Sequence, residues 1–129
     1  MIIGVGTDIV EVERIKMVVE RTPSFLKKAF TDKEIEYFSF KKNKYESIAG
    51  AFASKEAVSK ALNTGIRGFS LQDIEVIHDE LGKPEIKLSE KIINRFNLLN
   101  HNIHVSISHT EANAIAFVVI EEVLSSGDF

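Results

Sequence analysis

Hydrophobic and polar positions alternate along this chain with two different periods. Residues 2–10 are rich in β-branched side chains and predict a strand. Within it Gly4, Gly6 and Asp8 share one face, and Ile3, Val5, Thr7 and Ile9 share the other. Residues 11–21 place Val12, Ile15, Val18 and Val19 at helical spacing, and Thr22-Pro23-Ser24 ends that helix. Thr31-Asp32-Lys33-Glu34 has the form of a capping box and opens a short helix containing Ile35 and Phe38. Residues 41–46 read as a polar loop, and residues 47–62 as the clearest helix. Residues 73–78 and 85–88 predict short strands around a turn-rich stretch at 79–84. Ser89 caps a helix running to about residue 97. Residues 103–109 and 114–121 predict two more strands across a polar turn at 110–113, and the tail from residue 125 is expected to fray. The chain shows no repeat, low-complexity tract or linker, so residues 1–129 read as a single domain. The expected fold is α+β, with a mixed, largely antiparallel sheet and a long buried central helix.

Composition narrows this without changing it. With 129 residues, 44% hydrophobic and 27% charged, one ordinary core is feasible. Cysteine is absent, which excludes a disulfide framework and a cysteine-zinc site. No apolar run approaches the ~20 residues of a spanning helix, and no signal peptide is evident, so a cytoplasmic protein without membrane association is expected. The formal net charge of −3 predicts no general attraction to nucleic acid. That total hides a segregation: residues 14–60 carry +5, against −3 before them and −5 after. The basic segment reads either as a solvated surface or as a docking face for an acidic or phosphate-bearing partner.

Three places carry candidate chemistry. Gly4 and Gly6 leave bare backbone beside Asp8, as where a ligand or another chain approaches closely, and a carboxylate there suits Mg²⁺. A β-bulge with Asp8 at a strand end is the plainer reading. The helix at 47–62 has apolar residues all round, so Glu56 and Lys60 are charges in apolar surroundings. Their plainer reading is an i,i+4 surface pair. His109 ends the strand Val105-Ser106-Ile107-Ser108-His109, with Val105 and Ile107 on its face and Ser106 and Ser108 on the other. Such a group can hold a phosphate, or His109 can be structural. A serine-hydrolase triad lacks the Gly-x-Ser-x-Gly elbow.

Taken in order, Gly4-x-Gly6-x-Asp8, then Phe52-Ala53-Ser54-Lys55-Glu56-Ala57-x-x-Lys60-Ala61, then Ser106-Ile107-Ser108-His109-Thr110 resembles the 4′-phosphopantetheinyl transferases. The size and order are similar to the small holo-acyl-carrier-protein synthase group, over residues 1 to about 122 and including Thr64-Gly65-Ile66 and Gly82-Lys83-Pro84.

The resemblance implies transfer of 4′-phosphopantetheine from coenzyme A to a serine of an acyl carrier protein, with adenosine 3′,5′-bisphosphate as the other product, in the service of fatty acid biosynthesis. It implies Mg²⁺ held by Asp8 and Glu56 with the coenzyme A pyrophosphate, and Lys60 on pyrophosphate oxygens. Either Glu56 or a metal-bound water would take the serine proton. Lys55, Lys60, Gly65, Ser108 and His109 would bind coenzyme A, the last two at its 3′-phosphate. Arg14, Arg21 and Lys28, with Met17 and Phe25 as apolar contacts, would dock the acidic carrier. The group implies a homotrimer with sites between subunits, His109 serving an Asp8 and Glu56 of a neighbouring chain. The sequence departs from the pattern at Ala51, where relatives carry arginine, at Ser54 and at Arg67. Other readings are a non-catalytic module binding coenzyme A or a carrier protein, and a different Mg²⁺-dependent phosphate enzyme.

Overall fold

A computed structural model describes residues 1–63 and 68–123. Strand β1 (Ile2–Glu11) runs directly into helix α1 (Val12–Arg21). Two short helices follow, α2 (Phe25–Ala29) and α3 (Asp32–Ser39), the first of which the periodicity did not announce. The capping box at α3 forms as expected: Thr31 accepts from the Glu34 amide while the Glu34 side chain accepts from the Thr31 amide. Helix α4 (Lys44–Ala61) begins earlier than its apolar pattern, so the second half of the polar loop expected over residues 41–46 is helix. A 3₁₀ turn (Leu71–Asp73) leads into the hairpin of β2 (Ile74–His78) and β3 (Pro84–Leu88). Helix α5 (Glu90–Phe96) is capped by Ser89 and ends on Asn97 in the left-handed region. Strands β4 (His101–His109) and β5 (Asn113–Glu122) complete the described chain. The expected fraying of the tail lies outside the described residues.

Among the described residues every strand pair is antiparallel, in line with the largely antiparallel sheet expected, and the strands form two sheets, β1-β5-β4 and β2-β3. Helix α4 lies across the larger sheet, and its alanines at 53, 57 and 61 are fully or almost fully buried. Gly4 and Gly6 make that contact possible. A Cβ on Gly6 would sit 1.9 Å from the Ala57 carbonyl oxygen, and one on Gly4 would sit 2.1 Å from that of Ala61. The expectation of cleared space for a ligand or second chain is therefore corrected: the close approach is by α4 of the same chain. No side chain fits between two backbones at that distance.

The opposite face of the larger sheet is uncovered. Ile3, Val5, Ile9, Ile115 and Phe117 lie there between 41% and 62% exposed. No helix of the structure is long and apolar enough to cross a membrane, among the described residues.

Candidate active site

Asp8 follows Gly6 on the face of β1 that α4 covers, and there the helix presents side chains rather than bare backbone. The Lys60 ammonium donates to Asp8 Oδ1 at 3.0 Å and to the Thr7 carbonyl at 3.0 Å. Glu56 lies one turn earlier on the helix. Burial pushes its pKa up, the nearby Asp8 carboxylate pushes it further, and Lys60 pulls it down. The ion pair of Lys60 is thus with Asp8, not with Glu56 as a simple i,i+4 surface pair would have it.

Asp8 and Glu56 line a cleft of about 460 Å³ with Glu11, Arg14, Val18, Phe25 and Phe52, and Lys60 stands behind Asp8 as its ion-pair partner. The Asp8 and Glu56 carboxylates therefore face a space whose walls also carry the Glu11 carboxylate, the Arg14 guanidinium and aromatic and aliphatic surface. Val18, from the apolar stripe of α1, is 38% exposed and belongs to this wall. Among the described residues no three histidine or acidic side chains gather as a metal site. Asp8 and Glu56 alone fit Mg²⁺, which takes one or two protein carboxylates and fills its shell with substrate phosphates and water.

His109 sits elsewhere. It pairs with Glu46 (Nδ1 to Oε1, 3.4 Å) beside a second cavity of about 240 Å³. Its walls include Tyr37, Lys41, Ala51, His78 and Pro84. The Tyr37 and His78 rings stack at 4.1 Å, and the Lys41 ammonium lies 4.7 Å from the Tyr37 ring centre. Burial lowers the pKa of His78, and Lys41 lowers it further against the opposing pull of Asp79, so this imidazole is neutral at pH 7. Gly50 lets α4 approach β4 here, since a Cβ would lie 3.0 Å from Ile107 Cγ2. The two cavities share no lining residue: Phe52 and Glu56 of α4 line the first, Gly50 and Ala51 the second.

Of the candidate docking residues, Arg14, Met17, Arg21 and Lys28 are exposed on α1 and α2, while Phe25 is half-buried at the cleft wall. Ser108 points to the uncovered sheet face, opposite to His109, so the structure does not bring those two side chains together. Gly65 and Arg67 lie outside the described residues.

Lys55 is a correction. Its side chain is wholly buried, and its three protons go to Glu34 Oε1 at 2.7 Å, the Leu71 carbonyl at 2.9 Å and the Ile74 carbonyl at 2.5 Å. No donor remains for coenzyme A. Sequence reasoning also passed over Glu46, Tyr37 and His78. Only the packing of α3, α4 and β2 assembles them, and no local motif signals it.

Residues 4–118 match the 4′-phosphopantetheinyl transferase superfamily. The chain is 58% identical over 121 residues to a holo-[acyl-carrier-protein] synthase of Clostridium botulinum, covering 94% of this chain and 98% of that protein. It is similar to the crystal structure of a holo-(acyl-carrier-protein) synthase from Bacillus anthracis in complex with CoA (3′,5′-ADP), with TM-score 0.81 and 38% identity, covering 95% of this chain and 98% of that one. The Neisseria meningitidis holo-[acyl-carrier-protein] synthase gives TM-score 0.84 at 35% identity, covering 95% and 100%.

Proposed function

The chain belongs to the 4′-phosphopantetheinyl transferase superfamily, and from that membership we infer that it transfers 4′-phosphopantetheine from coenzyme A to a serine of an acyl carrier protein. The bond formed is between the serine oxygen and phosphorus. The bond broken releases adenosine 3′,5′-bisphosphate. Fatty acid biosynthesis is the process this carrier would serve, in the cytoplasm.

The observation that carries the assignment of the site is that Asp8 and Glu56 line one cleft with Arg14 and Phe25, with Lys60 bonded to Asp8. Asp8 and Glu56 would hold Mg²⁺, which when bound supplies charge stabilisation to the reacting phosphate. Glu56 takes the proton of the carrier serine. Its carboxylate lines the cleft that serine would enter, and a water on the cation is the alternative acceptor of the proton. Lys60 steadies Asp8 and turns its remaining hydrogen-bonding capacity to pyrophosphate oxygens. Arg14, Arg21 and Lys28 receive the acidic carrier, with Met17 and Phe25 as apolar contacts, mainly setting encounter rate and orientation.

His109 belongs to the coenzyme A 3′-phosphate subsite, and Lys41 in the same cavity supplies positive charge beside Ala51. That this cavity and the carboxylate cleft share no lining residue supports the reading that one coenzyme A is held between subunits. The uncovered apolar face of Ile3, Val5, Ile9, Ile115 and Phe117 supports a homotrimer, since a face of this kind gains by association. Ser108 on that same face would then stand at a subunit boundary.

The test is direct. The protein is incubated with Mg²⁺, coenzyme A and an apo acyl carrier protein, and the carrier is weighed by mass spectrometry. The expected result is a gain of one phosphopantetheine group that disappears with a chelator. No gain on several competent apo carriers would refute the transferase reading.

A further inference from the structure

Glu34 and Lys55 are the two fully buried charged side chains among the described residues, and the reaction proposed above makes no use of either. Their network is closed on every side. Glu34 Oε1 accepts from the Thr31 amide as well as from Lys55, and Oε2 accepts from the Val76 amide at 2.9 Å. Lys55 also reaches the Leu71 and Ile74 carbonyls and lies 5.0 Å from the centre of the buried Phe30 ring. Thr31 Oγ1 donates onward to Glu75 at 2.6 Å. One ammonium thus ties α4 to α3, to the 3₁₀ turn and to β2.

Helix α4 needs such a tie because of what it presents to the sheet. Its contact there is made by Ala53, Ala57 and Ala61 over Gly4 and Gly6. Small residues allow close approach but give shallow ridges, so they key the rotation of the helix about its axis weakly. Lys55 projects nearly opposite to Ala57, into three fixed acceptors. Glu56 stands roughly 100° from each of them around the axis. A rotation of ~10°, at a side-chain radius of about 5–6 Å, would swing Glu56 by ~1 Å. A misplacement of ~1 Å can cost about 10²-fold in rate.

We propose that the Lys55–Glu34 pair is a positioning device for phosphopantetheine transfer: it fixes the rotation of α4 and so aims the Glu56 carboxylate into the cleft beside Asp8. The inference rests on the reading of Glu56 as a reacting-site residue. Buried ion pairs often contribute little net stability compared with an apolar replacement, so specificity of arrangement is the property to look for.

The experiment compares wild type with the double variant Glu34→Gln/Lys55→Met, which leaves no unpaired buried charge. Wild type is assayed first. If it does not modify a carrier, the functional reading has failed, independently of this inference. The variant is expected to fold by circular dichroism and to lose about 10²-fold in kcat, while KM for coenzyme A and for the carrier each stay within about twofold. Its Gly4, Gly6 and Asp8 amide resonances should move, because the α4 carbonyls above them have moved. A second double variant, Glu34→Asp/Lys55→Arg, shortens one partner and lengthens the other. It should keep the pair and recover most of the kcat. A folded Glu34→Gln/Lys55→Met protein with kcat within about threefold of wild type overturns the proposal. So does a kcat loss with the three resonances unmoved, or a loss confined to KM. Failure of both variants to fold would make the pair a folding requirement and overturn it as well.

Discussion

Lys55 and Lys60 stand on the same helix, and each has a carboxylate oxygen close by, at 2.7 Å and 3.0 Å. In the chain they look equivalent. In the fold, five residues turn the helix by about 140° net, which sends one inward and leaves the other half-exposed on Asp8. The Lys55 pair is dry and complete, with every donor and both Glu34 oxygens engaged. The Lys60 side chain is 54% exposed, and the Asp8 and Glu56 carboxylates beside it keep acceptor capacity facing open space. A closed pair holds elements in place. An open pair, beside a Glu56 whose pKa is raised by burial and then by the Asp8 carboxylate, can receive a cation and a proton. The same residue types thus differ in role through what is left unsatisfied.

The largest test of this contrast is catalytic. Asp8→Ala and Glu56→Ala should each lower kcat by roughly 10²–10⁴-fold in the carrier-modification assay, with little change in circular dichroism. Mixing Glu56→Ala with His109→Ala subunits should restore part of the activity, because one kind of site in the mixed assembly is intact. Equal inactivity of the mixture would argue against sites shared between chains.

Stability should respond in the reverse order. Lys55→Met strands the Glu34 carboxylate in the core and is expected to cost about 3–5 kcal/mol in denaturant unfolding. Lys60→Met removes a half-exposed, solvent-screened partner and should cost less than about 1 kcal/mol. Comparable losses would erase the distinction drawn between the two pairs.

The smallest effect is on pH dependence. The folded-state pKa of Glu56 is raised, so its protonation stabilises the fold below the ordinary carboxylate range. That contribution is lost as pH rises through the raised value. Without added cation, the Tm of wild type should therefore fall over this window relative to Glu56→Gln. Parallel Tm profiles for the two proteins would show that Glu56 is not under this strain.

Much of the fold was legible. The strand at the N-terminus, the Thr31 capping box, the Ser89 cap and the last hairpin rest on local signals, and all appear where those signals lie. Helix α2 did not announce itself, because five residues give too little periodicity. The start of α4 was missed because its first turn is polar. At the site, Asp8, Glu56 and Lys60 were legible as charges out of keeping with their surroundings. Glu46, Tyr37 and His78 were not, because they come from different elements.

The sequence by itself determined the periodic elements, the segregated charge and the family motifs. These depend on residues near one another in the chain. Tertiary structure decided what each of those residues faces. It filled the space over Gly4 and Gly6 with the α4 backbone, turned Lys55 inward to Glu34 and left Lys60 half-exposed on Asp8. The reason is that desolvation and hydrogen-bond satisfaction are properties of a place rather than of a residue type. A lysine surrounded by fixed acceptors is consumed by them, and a half-exposed one is not.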